Sequence, residues 1–275
     1  MANPEIPQKS KFSSTFALIV IPVCIVVAEL VFHFIFGHEN NFDGPHQPKA
    51  GNYLGIVYQG GFIVPILMSF FLMVITFSIE RFITIQQAYG SGSLDNFVRK
   101  VKSYLNSNDV NSAIAACEEQ KGSLGNVTLA VLEKYKHVAS ERGMSKDQKT
   151  VAIQKELEEA TSLELPILEK NLTILATLAS VATLVGLLGT VVGMIKAFAA
   201  LASSGTPNAE ALATGISEAL INTALGISSS ALAIIFYNLF TSKIDTLTYS
   251  IDEVGFSINQ NFSANYKEKE SSVLV

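Results

Sequence analysis

The chain has 275 residues, of which 49% are hydrophobic and 16% charged, with a mean hydropathy of +0.36 and a formal net charge of −5. Soluble domains carry about 25% charged residues, so long stretches almost free of charge point to lipid as the solvent. The acidic balance and the lack of a basic stripe exclude a nucleic-acid binder, and Cys24 and Cys117, one in an apolar run and one in a polar run, form neither a disulfide framework nor a metal-ligand pattern.

A bilayer core of roughly 30 Å needs about 20 apolar residues of helix, and four segments meet that length. The head, 1–11, carries Lys9 and Lys11. The first apolar segment is Phe12 to Phe36 (12–36). Its run is about twice a signal peptide's h-region and no small-residue cleavage site follows it, so a retained helix is expected. A loop at 37–60 holds only Lys49. The second segment, Gly61 to Ile79 within 61–85, closes on the charged pair Glu80 and Arg81. The stretch 86–165 is polar but patterned. Ser93 can cap Leu94 to Leu105, in which Leu94, Phe97, Val98, Val101 and Leu105 recur at helical spacing. Asn108 or Asp109 can cap Val110 to Glu119. Leu124 to Val138 and Gln148 to Leu165 follow, separated by Gly143, Met144 and Ser145. These read as amphipathic support helices without chemistry.

The third segment is Leu172 to Ala202 (within 166–203), with one charge, Lys196. After a short loop at 204–210 comes the fourth, Ala211 to Thr241 (within 211–252), with one charge, Glu218. At 1.5 Å per residue, about 31 residues reach roughly 46 Å. Tilt absorbs part of that excess, and the remainder should continue as helix outside the bilayer. The tail at 253–275 turns polar at Asn259, Gln260 and Asn261, then runs Lys267 to Glu270, and is expected to fray. The loop from Arg81 to Pro166 holds eleven Lys and Arg residues, against one at 37–60 and none at Ser203 to Glu210. That bias places both termini and the middle loop in the cytoplasm and the two other loops outside, which is the periplasm in a Gram-negative cell. Pro22 and Pro65 are expected to kink their helices.

Two stripes of small residues mark the last two segments. Thr183, Gly186, Thr190, Gly193 and Ala197 share one helical face. Ala219, Thr223, Gly226, Ser230 and Ala233 share another. Small residues let membrane helices approach closely and let hydroxyls bond across the contact, and Gly189 with Gly193 adds the four-residue spacing of close packing. For any single glycine, plain helix packing is the simpler reading. Together the stripes also suit a narrow, weakly polar lining around a central path. Glu218 is the sharpest residue. An acid near mid-helix costs about 2.5–3.5 kcal/mol on insertion scales, so one kept there is a functional candidate. It is either a transient proton site or a hydrogen-bonding anchor. Asn222 lies one turn below it and Ser229 two turns further. Lys196 is near enough to a helix end to snorkel to the interface and is weighted less. Glu29 and His33, one turn apart, form either a local pair at the interface or a proton relay.

From Leu165-Pro166-Ile167-Leu168-Glu169-Lys170-Asn171-Leu172, through Gly186-Leu187-Leu188-Gly189-Thr190-Val191-Val192-Gly193, to Gly215-Ile216-Ser217-Glu218-Ala219-Leu220-Ile221-Asn222-Thr223-Ala224-Leu225-Gly226 and Tyr237-Asn238, the chain resembles the MotA/TolQ/ExbB proton-channel family, and the ExbB and TolQ branches more than MotA. Gly61 to Arg81, ending Ile79-Glu80-Arg81-Phe82, looks like the family's first core helix. The resemblance implies an all-α polytopic membrane protein with a three-helix core, here extended by one N-terminal helix. It implies a homo-oligomeric ring, a pentamer, around a dimer of a single-span ExbD- or TolR-like partner whose Asp accepts the proton, in the bacterial inner membrane. Ion flow then rotates one component against the other, and an ExbB-type motor passes force to TonB for outer-membrane uptake, while a TolQ-type motor supports envelope constriction. Thr190 and Thr223 carry over as pore hydroxyls and Glu218 as the membrane acid. Thr183, Ser230 and Asn222 join them as expected lining, and Gly186, Gly189, Gly193 and Gly226 as packing positions. The family often has Pro at the positions of Thr183 and Leu232, so these spans should be straighter. Asn222 and Ser228 to Ser230 make the fourth segment more polar, which leaves H⁺ or Na⁺ open, with H⁺ preferred. No other cofactor and no metal is expected, and partners beyond the membrane lipids are proteins.

Three other readings stand beside the motor subunit. A flagellar or gliding stator is disfavoured by the Glu218 motif. A secondary transporter needs inverted repeats with interrupted helices, which the sequence lacks. An enzyme would need a phosphate loop, a nucleophile elbow or a metal signature, and none is written here.

Overall fold

The computed structural model describes residues 10–44, 47–141, 143–202 and 209–266. The expectations for the head at 1–9, for Arg142, for the loop at 203–208 and for the tail from Lys267 fall outside the described residues. The described chain is an all-α membrane protein. Four of its helical stretches are long and apolar enough to cross a bilayer: Phe16–Phe36, Ile63–Asn106, Lys146–Ala202 and Ala209–Asn265.

The helices are α1 (Ser10–Val31), α2 (Tyr53–Tyr58), α3 (Ile63–Tyr89), α4 (Leu94–Asn106), α5 (Val110–Gln120), α6 (Gly122–Ser140), α7 (Lys146–Glu169), α8 (Leu172–Ala202) and α9 (Ala209–Asn265). A π-helical turn, Phe32–Phe36, ends α1. The following loop carries a 3-10 turn, Glu39–Asn41, and a small hairpin, β1 (Phe42–Gly44) with antiparallel β2 (Gln47–Pro48). Pro22 lies within α1, which continues through it. Pro65 does not interrupt a helix. It sits in the first turn of α3, where the missing N–H would have had no helical acceptor.

The chain divides into two compact units. The first comprises 1–80 and 171–238, and the second 81–170 and 239–275; α3 and α9 contribute to both. In the first unit, Val64, Leu67, Val74 and Phe77 of α3, Ala28 of α1, Phe32 of the π-helical turn, Leu175 and Ala182 of α8, and Ala219 and Ala233 of α9 are all buried. Phe16 meets Phe77 edge-on, and Phe32 stacks on Tyr58 at 4.7 Å. Large apolar side chains such as Leu18, Leu184, Leu187, Ile195 and Leu220 point away from this core and are more than half exposed. That inverted distribution is what lipid, rather than water, requires of a surface.

The second unit is an ordinary amphipathic bundle. Val101 and Leu105 of α4, Leu124, Val131 and Leu132 of α6, Ile153 of α7 and Leu247, Ile258 and Phe262 of α9 form its interior. Ser93 stands at the N-cap of α4 without a side-chain bond, whereas Asp109 accepts from the Ser112 amide at 3.0 Å. Ser145 and Gln148 form a full capping box at the start of α7. Among the described residues two cations are buried here, and both cap helix ends. Arg81 donates to the carbonyls of Ile167 and Leu168 in the last turn of α7, and Lys149 donates to the Glu141 carbonyl just past α6 at 2.7 Å and to the Tyr266 hydroxyl at 2.6 Å. A positive charge there offsets the helix dipole and fills acceptors that the helix leaves open.

One expectation is corrected. The polar residues from Glu253 to Asn265 do not fray. α9 continues to Asn265 because Val254, Ile258 and Phe262 recur on its inner face and are buried, with Phe262 edge-on to Tyr135 at 4.9 Å. Asn259 and Asn261 sit on the flanks of that face and bond Gln154 and the Leu105 carbonyl. A helix needs only one apolar stripe to dock, and the run of polar letters hid it.

Candidate ion-path site

α8 and α9 run antiparallel in the first unit, and their small-residue stripes face each other within a single chain. A Cβ added at Gly193 would stand 2.7 Å from the Ala219 nitrogen. One at Gly186 would stand 3.0 Å from the Gly226 Cα, one at Gly215 2.8 Å from the Ala197 Cβ, and one at Gly226 2.7 Å from the Ala182 carbonyl oxygen. The two backbones therefore touch over several turns, and larger residues would force them apart. Gly189 gives its space to Asn222, whose Cγ would lie 2.7 Å from an added Cβ. The buried line on α8 is Ala182, Gly186, Gly189, Gly193 and Ala197. Thr190 sits on its edge, half-buried, and Thr183 is exposed, off the seam. On α9, Ala219, Gly226, Ser230 and Ala233 are buried and Thr223 is half-buried.

Polar groups are spaced along this seam like rungs. At one end the Lys196 ammonium donates to Glu218 Oε1 at 2.6 Å. The Glu218 side chain is 6% exposed and that of Lys196 49%. Lys196 was discounted in the sequence as an interfacial cation. It is instead the acid's partner, and the signal lay in the depth of the two residues. Each sits a similar distance from the shared end of its helix, so an antiparallel pair brings them level. One turn further along α9, Asn222 is fully buried and donates to the Gly60 carbonyl at 3.0 Å, while its Oδ1 finds no hydrogen-bond partner. Next, the Thr190 and Thr223 hydroxyls bond each other, with Thr223 donating to the Ala219 carbonyl at 3.2 Å and Thr190 within reach of Gly186 and Ala219 carbonyls. Deeper still, Ser230 donates across to the Ala179 carbonyl, and Ser229 is satisfied within α9.

The turn before α3 completes the site. Gly61 adopts φ +76°, a conformation open to glycine at little cost, and an added Cβ there would stand 2.6 Å from Glu218 Oε1. Gly60 and Gly61 are thus gripped by two α9 side chains one turn apart. Nothing in the sequence reading pointed to this turn. A Gly-Gly pair just ahead of an apolar run was the available sign.

Residues 121–253 match the family described as the MotA/TolQ/ExbB proton channel family. That match covers 133 of the 275 residues, just under half of the chain, which is similar to this family there. The matched segment contains every rung of the seam except the Gly60–Gly61 turn. Among relatives, the Biopolymer transport protein ExbB of Salmonella typhimurium is 34% identical over 84 residues, 30% of this chain and 34% of that protein. The Tol-Pal system protein TolQ of Pseudomonas aeruginosa is 33% identical over 118 residues, 43% of this chain and 51% of that protein. The ExbB of Xanthomonas campestris is 28% identical over 169 residues, 56% of this chain and 67% of that protein. The chain therefore spans about a third of the Salmonella relative's length. For a family described as a proton channel, the seam offers a titratable acid with a cation beside it and hydroxyls that both donate and accept.

Proposed function

We propose that this chain is an ExbB-like subunit of an inner-membrane motor driven by the proton-motive force. Several copies, five by family resemblance, form a ring around a dimer of an ExbD- or TolR-like single-span partner. The motor energises TonB-dependent transport across the outer membrane, with both termini of each subunit in the cytoplasm. The observation that carries the reading is the polar seam. Lys196–Glu218, Asn222 and Thr190–Thr223 succeed one another along the seam between the closely packed α8 and α9.

In this reading Glu218 takes up the ion near the outer end. The half-buried Thr190–Thr223 edge, with Ser230, passes it toward the partner's acid, and Gly186, Gly189, Gly193 and Gly226 hold the two helices close enough to do so. H⁺ is the coupling ion, since a carboxylate with one ammonium neighbour is a proton site rather than a cage of six oxygens. No cofactor is needed and the subunit performs no catalysis.

A TolQ-like role in the Tol-Pal envelope system is the second reading, supported by the likeness to the Pseudomonas aeruginosa TolQ. A MotA-like stator has no specific observation behind it. The two leading readings separate on one experiment. The full chain is purified with the small single-span protein that accompanies it, and the deletion strain is scored for siderophore uptake and for envelope integrity. Loss of uptake with an intact envelope supports the ExbB reading. The opposite pattern supports TolQ. A chain that works without any single-span partner ends both.

A further inference from the structure

Glu29 and His33 lie on the helix that the family core does not include. They line a cleft of about 410 Å³ in the first unit, together with Gln59 and with Gly61 and Phe62 just before α3. His33 Nε2 lies 3.5 Å from Glu29 Oε1, and both side chains are 55% exposed. Gly61 and Phe62 are also the residues that touch the Lys196–Glu218 pair. Lys196 Nζ stands 5.7 Å from the Phe62 ring centre, and Gly61 packs against Glu218 so closely that an added Cβ would stand 2.6 Å from its Oε1. The wall between the cleft and the buried carboxylate is therefore a glycine. From α9 the cleft receives Thr214, one turn before Glu218, and from α2 the Tyr58 hydroxyl-bearing ring; Phe42 and Pro65 supply the apolar sides. Among the described residues lining it, Glu29, His33 and Tyr58 are the titratable ones, and across the glycine stand Glu218 and Lys196.

We infer that the N-terminal span adds a proton inlet to the motor, with His33 and Glu29 collecting protons at the mouth of this cleft and its water carrying them to Gly61, the one residue between the cleft and Glu218. This rests on the reading of Glu218 as the ion-path acid. A cleft of this size holds on the order of ten waters, and Glu29, His33, Gln59 and Thr214 on its otherwise apolar lining give them partners. An imidazole can take a proton from water on one ring nitrogen and release one from the other. The step moves one proton and makes no other bond. His33 takes it from bulk water and releases it to the cleft. Glu218 accepts it and becomes a neutral acid, its bond from Lys196 weakens, and the proton leaves toward the Thr190–Thr223 edge. The free-standing pair on α1 was open between a local contact and a relay. The shared wall favours the relay.

The test uses membrane vesicles holding the full chain with its co-purifying partner, with proton influx followed by a trapped pH-sensitive dye and protons supplied on the cleft side. E29Q/H33Q should slow influx roughly tenfold at about pH 7.5, where a positioned relay group matters most. It should recover to near the parent rate at about pH 5.5, where hydronium is abundant. His33→Cys should react quickly with a charged, membrane-impermeant thiol reagent, against a parent whose Cys24 and Cys117 are buried. Parent-like influx of the double variant at about pH 7.5 overturns the inlet. So does equal slowing at both pH values, which would mark structural damage, and so does a His33→Cys thiol that the charged reagent cannot reach. E218Q separates the two ideas. If it conducts like the parent, the ion-path reading itself falls. If it is blocked while the double variant is unaffected, the inlet alone falls.

Discussion

Lys196 donates to Glu218 at 2.6 Å across the α8–α9 seam, with the acid almost wholly buried and the base half open. The asymmetry matters. A carboxylate inside the membrane region is tolerable when a cation stands beside it. The cation itself keeps contact with the surroundings, so the pair can be unmade without stranding two buried charges. When Glu218 gains a proton, the ammonium still has solvation within reach of its long chain.

Removing that cation should therefore be costly in one direction only. Lys196→Met leaves the buried carboxylate unpaired and should destabilise the complex by about 1–3 kcal/mol, below the 3–5 kcal/mol of a fully buried pair because Lys196 is half exposed. Lys196→Arg should restore most of it. Thermal unfolding of the purified complex in detergent checks both. A Lys196→Met complex as stable as the parent would show that Glu218 does not depend on this partner.

The close approach of α8 and α9 predicts steric intolerance at named positions. Gly193→Leu and Gly226→Val would drive side-chain atoms into the opposing backbone, at 2.7 Å from the Ala219 nitrogen and the Ala182 carbonyl respectively at the Cβ alone. Overpacking of this kind costs about 1–3 kcal/mol. Replacing the neighbouring Leu187, which is largely exposed, by another large apolar residue should cost little. Expression level and melting temperature of the three variants distinguish them, and equal tolerance at all three would contradict the seam.

Thr190 and Thr223 should behave as a pair. Thr→Val keeps the shape and removes the hydroxyl, and hydrogen bonds between membrane helices average about 0.6 kcal/mol with a maximum near 1.7. A double-mutant cycle on unfolding should return a coupling in that range. Ion-driven work should fall much further than stability does, with assembly retained. Independent, additive effects on both readouts would mean that the two hydroxyls do not act together.

How much of this could be read from letters alone depends on what each signal requires. The four apolar segments were legible because bilayer thickness imposes a length that no soluble helix must have. The support helices read from Leu94, Val110, Leu124 and Gln148 were legible because amphipathic spacing and capping residues are local. The stripes on α8 and α9 were visible as stripes, yet their partner was not. Faces of small residues look the same whether they meet a neighbour in the same chain or line a central path, and Thr183 was assigned to a face that turns out to be exposed. Lys196 was misread for a related reason, because pairing across two helices depends on register. The Gly60–Gly61 turn was missed altogether, since its role is set by side chains 157 and more positions away. The persistence of α9 beyond Asp252 was obscured by polar composition, where one buried residue per turn was enough.

Cys117 offers a check on the second unit. Burial pushes its thiol up to about 12 from the usual 9.0, with the neighbouring Glu118 adding to the rise. The native thiol should therefore stay unreactive toward iodoacetamide at about pH 8.5 and react promptly in denaturant. Because the folded protein holds this proton more tightly than the unfolded chain does, the associated stability is complete below about pH 9 and declines as pH climbs toward 12. Rapid labelling of the native protein would show that α5 opens readily.

The most direct test of the ion path is proton influx through Glu218→Gln, measured in membranes containing equal amounts of assembled complex, beside Glu218→Asp. The Gln variant keeps the size and can still accept from Lys196 but cannot take up and release a proton, so influx should fall to background while the complex assembles normally, and Asp should retain part of the flow. Parent-like influx through the Gln variant would contradict the account.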